Sequence, residues 1–169
     1  MPESLKNQNK NIQILTFALA DHVMAFNVYD LAAVTRLLDI TPVPRSADFF
    51  EGMINLRGKL APVISLRKLF QFPHKEPDRK TCLIAAKGQE HTICFMVDSV
   101  DKFILVENEK LEKTPDLFFD KYIKNVYKDG KRLISILNAQ KLIDAKEIKN
   151  IIDKKADTNL LMPKDETGE

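Results

Sequence analysis

A mainly β chain built from two similar units around one core is expected from three features of these 169 residues. Apolar residues alternate in runs of strand length, as in ILTFALADHVMAFNV and CLIAAKGQEHTICFMVDSV. Turn residues punctuate the runs, with Arg57-Gly58, Lys87-Gly88 and Asp129-Gly130 at the junctions. The pattern also occurs twice, from about Ile12 to Phe70 and from about Thr81 to Ile143. The length suits one domain, or two small β units that share a core.

The first unit opens with a hairpin that turns at Asp21-His22. Phe17 and Leu19, then Met24, Phe26 and Val28, alternate as a strand pair with one buried face does. Next comes LAAVTRLLDITPVPRSADFFEG, which offers a strand near Ile40 to Val43, kept short by Pro42 and Pro44. A short helix is expected near Ser46 to Phe50. GMINLRGKLAPVISLRKLF then reads as strand, tight turn, strand and short helix. The turn needs Gly58 because one position takes φ > 0. It has no need of Arg57, so a charge held at the end of a hairpin points to a docking surface.

The joint FPHKEPDRK, with two prolines and five charged residues, reads as an exposed linker. Beyond it the second hairpin turns at Lys87-Gly88. Cys94, Met96 and Asp98 share one strand face and Ile93, Phe95 and Val97 the other, which suits a strand buried on both sides. FILVENEKLEKTPDLFFD reads as a strand, a charged loop and a Pro-anchored turn. An Asp129-Gly130 hairpin follows, whose RLISIL matches the PVISL of the first unit. Asn138 is a helix N-cap, and Leu142, Ala145, Ile148 and Ile152 fall on one helical stripe. The expected organisation is a flexible N-terminus over 1–11, the two units over 12–70 and 81–143, a C-terminal helix over 144–157 and a disordered tail over 158–169.

Composition argues against several function classes. Lys and Arg number 26 against 24 Asp and Glu, a balance that does not favour nucleic acid or a membrane surface. No window has the length of an apolar membrane span, and the polar start MPESLKNQNKN is no signal peptide, so a cytoplasmic protein is expected. The five glycines form neither a Walker loop nor a dinucleotide fingerprint. His22, His74 and His91 share no ligand spacing. No catalytic pair, metal site or cofactor site is expected. Cys82 and Cys94 flank a turn and read as two small buried residues, a disulfide or redox pair being the other reading.

Five segments in order, FALADHVMAFNV, GMINLRG, PVISLRKLF, FMVDSV, and RLISILNAQKLI after YIKNV, give the chain a resemblance to the CheW-like family of bacterial chemosensory coupling proteins. The resemblance covers about Ile12 to Ile143. It implies two small five-stranded β-barrels (SH3/OB-like) packed on a shared core, with short connecting helices and no active site. It also implies an adaptor that bridges the cytoplasmic tip of a chemoreceptor to the regulatory domain of the histidine kinase CheA. The receptor helix lies between the barrels, and kinase or self contacts extend into rings. Carried over by position, Asn55, Leu56, Arg57 and Gly58 match the family's NLRG segment, and Arg57 is the position tied to receptor coupling. Leu31 and Val34 match apolar positions on one side of the receptor groove, and Val97, Asp98 and Val100 match the other. Gly58 and Gly130 serve their turns.

The chain departs from the family pattern in places. The acidic residue common beside the groove valine is missing, with Ala33 and Arg36 there instead. Ser65 replaces an Asp, and Ala20, Cys94 and Asn125 each replace a Gly. These changes fit a specialised receptor set or a non-flagellar chemosensory pathway. A nucleic-acid-binding β-barrel is the reading from another class, with Arg36, Arg45, Arg57, Lys59, Arg67 and Lys68 as its basic patch.

Overall fold

Ten strands form in the described residues, 11–113 and 121–152, of the computed structural model. The first half holds β1 (Asn11–Leu19), β2 (His22–Asn27), β3 (Leu31–Arg36), β4 (Phe50–Leu56), β5 (Lys59–Ser65) and helix α1 (Leu66–Leu69). The second holds β6 (Cys82–Lys87), β7 (Thr92–Val97), β8 (Ser99–Glu107), β9 (Ile123–Asp129), β10 (Arg132–Leu137) and helix α2 (Ala139–Ile143). Most of the expected N-terminus, the Pro-anchored turn, the end of the C-terminal helix and the tail lie outside the described residues.

The strands make two five-stranded sheets, ordered β8-β1-β2-β10-β9 and β3-β6-β7-β5-β4. Replacing each strand by its counterpart in the other half turns the first order into the second. The repeat is therefore real, but its halves exchange strands. The hairpin β1–β2 sits between β8 and β10 of the second half, and β6–β7 sits between β3 and β5 of the first. The expected pair of five-stranded units is present, although barrel is a loose word for it and the half-barrels expected over 12–70 and 81–143 interleave. The sheets are open, and each draws on both halves.

The physical reason lies in the central hairpins. Leu15, Phe17 and Phe26 point into a core shared by both sheets, while Ile14 and Ala25 join a second cluster with Val106, Ile134 and Ile136. In the other sheet Ile84, Ile93 and Phe95 enter the shared core, while Leu83, Ala85 and Cys94 join Ile54, Ala61 and Val63. Strands apolar on both faces belong in a sheet's centre, where the rest of the fold covers them. Each fully buried Phe or Leu adds about 1.5–3 kcal/mol.

Register fixes the mates. Leu15 pairs with Phe26 as Ile84 pairs with Phe95, and Phe26 lies beside Leu137 as Phe95 lies beside Ile64. The helix caps agree: the Ser65 hydroxyl accepts the Lys68 N–H, and the Asn138 side-chain oxygen Oδ1 accepts the Lys141 N–H. Ser65 thus corresponds to Asn138, three positions beyond the Ser135 on which matching PVISL to RLISIL places it.

Other differences are local. The expected strand at Ile40 to Val43 is a single bridge, Thr41 to Met53, because Pro42 has no N–H to extend it. Gly52 permits that crossing: a Cβ there would stand 2.2 Å from the Thr41 carbonyl oxygen. No helix forms at Ser46 to Phe50. The Phe49 carbonyl accepts the Ser65 N–H at 2.8 Å and Phe50 starts β4, so sheet pairing overrides local propensity. The first turn is Ala20-Asp21 and the last is Gly130-Lys131, each one residue from its expected place. The C-terminal helix is broken: α2 ends at Ile143, and helical backbone resumes over 146–152. Leu142 and Ile148 are nevertheless buried on the shared core, with Ala145 and Ile152 beside them.

Candidate functional site

Leu56 pairs with Lys59, so Arg57 and Gly58 alone form the loop between β4 and β5. Their φ angles are 54° and 85°, both positive as in a type I′ turn. The Asn55 side-chain oxygen Oδ1 accepts the Gly58 N–H at 2.7 Å. Asn55 and Gly58 therefore hold the turn, while Arg57 sits in a left-handed conformation that costs an L-residue about 1–2 kcal/mol. Its side chain is exposed, and among the described residues its guanidinium has no ion-pair partner. The second-half counterpart of this turn begins with Gly130, φ 64°, which meets the same backbone demand without strain.

Leu31 and Val34 lie on edge strand β3. Positions three apart on a regular strand face opposite ways. Here a bulge between Leu31 and Ala33 restores a common face, since Leu31 pairs with Ala86 and Val34 with Ile84. Both Ala86 and Ile84 belong to the shared core. Leu31 packs against it half-buried, and Val34 stays 42% exposed.

Edge strand β8 repeats the device. Val100 pairs with Phe17 and Phe103 with Leu15, with a register shift between them. The Thr16 hydroxyl fills this bulge, donating to the Lys102 carbonyl at 2.9 Å and accepting the Lys102 N–H at 3.2 Å. Val100 is thus the mate of Leu31, and Phe103 of Val34. Phe103 and Leu105 are 58% and 68% exposed and were not among the residues singled out by sequence. Aligning the two repeats on their bulges is the signal that finds them.

Of the six groove and turn residues, the structure gathers Leu31, Val97 and Val100 around the shared core and leaves Val34 on its rim. Val97 is 1% exposed and lies within the shared core. The Asn55–Gly58 turn stands apart, because β3 and β4 are opposite edges of one sheet.

Asp98 joins the sheets where β7 ends and β8 begins. Its carboxylate accepts the Ala20 N–H at 2.9 Å and the Arg67 Nε–H at 3.2 Å, and its own N–H donates to the Ala18 carbonyl. Arg67 also donates to the Pro73 carbonyl, which pins the start of the linker.

The basic patch of the nucleic-acid reading does not assemble. Arg67 is spent on Asp98, and Lys68 pairs with Glu51 at 2.9 Å, a hydrogen bond that raises its pKa. Arg36 and the Arg57-Gly58-Lys59 turn lie at opposite edges of the sheet. The cysteines occupy opposite faces of β6–β7: Cys82 packs on the shared core and Cys94 on the other cluster, so both are free thiols. Among the described residues no group of three or more His, Cys, Asp or Glu is placed to hold a metal ion. No helix there is long and apolar enough to cross a membrane.

The model of the CheW-like domain matches residues 13–147. Chemotaxis protein CheW of Thermotoga maritima is 32% identical over 148 residues, covering 87% of this chain and 97% of that protein. Chemotaxis protein CheW of Bacillus subtilis is 25% identical over 147 residues, covering 85% and 94%. The crystal structure of the scaffolding protein TtCheW from Thermoanaerobacter tengcongensis superposes with a TM-score of 0.75 at 25% identity, over 80% of this chain and 94% of that one. With its exchanged five-stranded sheets and the NLRG turn in place, the chain belongs to the CheW-like domain family.

Proposed function

We propose that this chain is a non-enzymatic chemotaxis scaffold that couples chemoreceptor tips to the regulatory domain of the histidine kinase CheA on the cytoplasmic side of the membrane. The relatives' names, chemotaxis protein and scaffolding protein, support the role. The observation that carries it is Arg57, a strained and exposed cation that its own turn does not use. A side chain retained against a conformational cost, at a place where Asn or Gly fits better, is explained by a partner. Leu31, Val34 and Val100 then act as apolar anchors for the receptor helix, with Asn55 presenting Arg57.

The experiment is calorimetric titration with the regulatory domain of CheA from the same organism, followed by reconstituted kinase assays with receptor. One-to-one binding at micromolar Kd or tighter is expected. Arg57→Ala should keep the fold and lose receptor control of the kinase. No binding to any CheA regulatory domain refutes the role, and loss of folding in Arg57→Ala refutes the assignment of Arg57.

A further inference from the structure

The Asp98 clamp is not repeated in the other half. Counting from Phe26 and Phe95, Tyr29 is the mate of Asp98 and Gln89 the mate of Ala20. Counting from the caps Ser65 and Asn138, Gln140 is the mate of Arg67. At one end of the molecule Arg67 and Asp98 meet at 3.2 Å, largely buried, and the Ala20 N–H joins them. At the other end Tyr29 is 84% exposed, with the Lys87 ammonium 5.7 Å from its ring centroid. Gln140 turns back on its own helix and donates to the Asp144 carboxylate at 3.1 Å. Among the described residues the Gln89 N–H has no protein partner. The space differs to match. A cleft of about 310 Å³ opens between the β6–β7 turn and α2, with Gln89 and Gln140 on its walls. At the clamped end the linker side chains Phe72 and His74 help to enclose a cavity of about 260 Å³ with Ser65, Lys68, Thr81 and Asp98.

We infer that Arg67 is a positioning residue which, through Asp98, straps the linker and both sheets together at one end, so that the molecule opens first at the other, around α2. Asp98 stands where the chain passes from β7 in one sheet to β8 in the other, and Ala20 lies in the β1–β2 turn. Arg67 adds α1 and, through the Pro73 carbonyl, the linker. A guanidinium that serves two acceptors in fixed directions leaves little freedom to either. The α2 end rests on Leu142, Ile143 and Ile148 in the shared core. Apolar packing of that kind is strong but has no preferred direction. A segment with few fixed polar partners beside an open cleft is the part of a fold that unlocks first. The repeat therefore holds one latched end and one unlatched end.

Hydrogen exchange of the full chain, followed amide by amide by NMR, tests this. The Ser65 and Asn138 N–H groups are mates with equal bonds, each 2.8 Å, to the Phe49 and Tyr122 carbonyls. In the wild type the Ser65 amide should nevertheless be about tenfold better protected, the worth of one added charge-assisted hydrogen bond. Equal protection overturns the unequal ends. Asp98→Ala should speed exchange at Ala20 and Ser65 about tenfold and leave Asn138 unchanged. A rise of the same size at all three shows general destabilisation and refutes a local clamp. Arg67→Lys keeps a cation for Asp98 and loses the second donor. It should leave Ala20 protected, yet let trypsin cut the linker at Lys75, Arg79 or Lys80 several-fold faster. Cleavage at the wild-type rate refutes the strap. Circular dichroism establishes that each variant is folded. Should Asp98→Ala not fold, the wild-type comparison and Arg67→Lys still decide.

Discussion

Phe26 and Phe95 occupy the same position in the two repeats, and their rings stack on each other with centroids 5.6 Å apart. The two mates thus join the two sheets inside the shared core. Phe17 extends the stack, 5.3 Å from Phe26. All three rings are fully buried.

Truncating either ring opens a cavity lined by both sheets. Phe26→Ala and Phe95→Ala should each cost about 3–5 kcal/mol. Because the two rings touch, the double variant should lose less than the sum. Urea unfolding of the four proteins measures this, and strict additivity contradicts the shared stack.

Arg57→Gly should raise stability while weakening receptor control of the kinase. Glycine takes the 54° φ freely, and relief of strain outweighs the added freedom of the unfolded chain by about 0.5–1 kcal/mol. Denaturant midpoints test the first half and kinase assays the second. A loss of stability shows that the Arg57 side chain supports its turn.

Ala20 is held at φ 55° in the first turn, and its N–H bonds to Asp98. Ala20→Gly keeps that bond and removes the strain. A gain of about 0.5–1 kcal/mol is expected by the same reasoning. Chemical denaturation at neutral pH reads it directly.

Burial raises the pKa of the Cys94 thiol to about 11 from an ordinary 9.0. The thiolate is therefore scarce in the native protein at pH 8, and alkylation should modify Cys82 alone until the chain unfolds. The native state holds this proton more tightly than the unfolded chain. The resulting stability is full below pH 9 and is lost as pH rises through about 11. Mass spectrometry of labelled peptides, with and without denaturant, separates the two sites.

The hairpins were legible because Phe17, Leu19, Met24 and Phe26 alternate at the strand period, and the burial matches. The partners of those hairpins were not. An alternating pattern records that a face is covered, and it does not record which strand lies alongside. The Ile40–Val43 segment failed for a related reason, since Ile40 and Val43 pack on the two clusters while its prolines hold it to a single bridge. Arg57 stood out because it breaks turn chemistry. Phe103 did not, because an aromatic residue in a strand is ordinary until its exposure is known. The burial of Val97 in the shared core follows from the alternation of β7, where Ile93, Phe95 and Val97 share one face.

The exchange of strands between halves bears on how the chain is made. As it leaves the ribosome, β1–β2 has neither neighbour until β8 and β10 follow. Neither half can close a sheet alone: the sheet around β6–β7 has all its strands once β7 is made, while the sheet around β1–β2 waits for β10. The same wiring makes the two halves, cut in the linker and expressed as separate pieces, obligate complements: each is the template on which the other finishes.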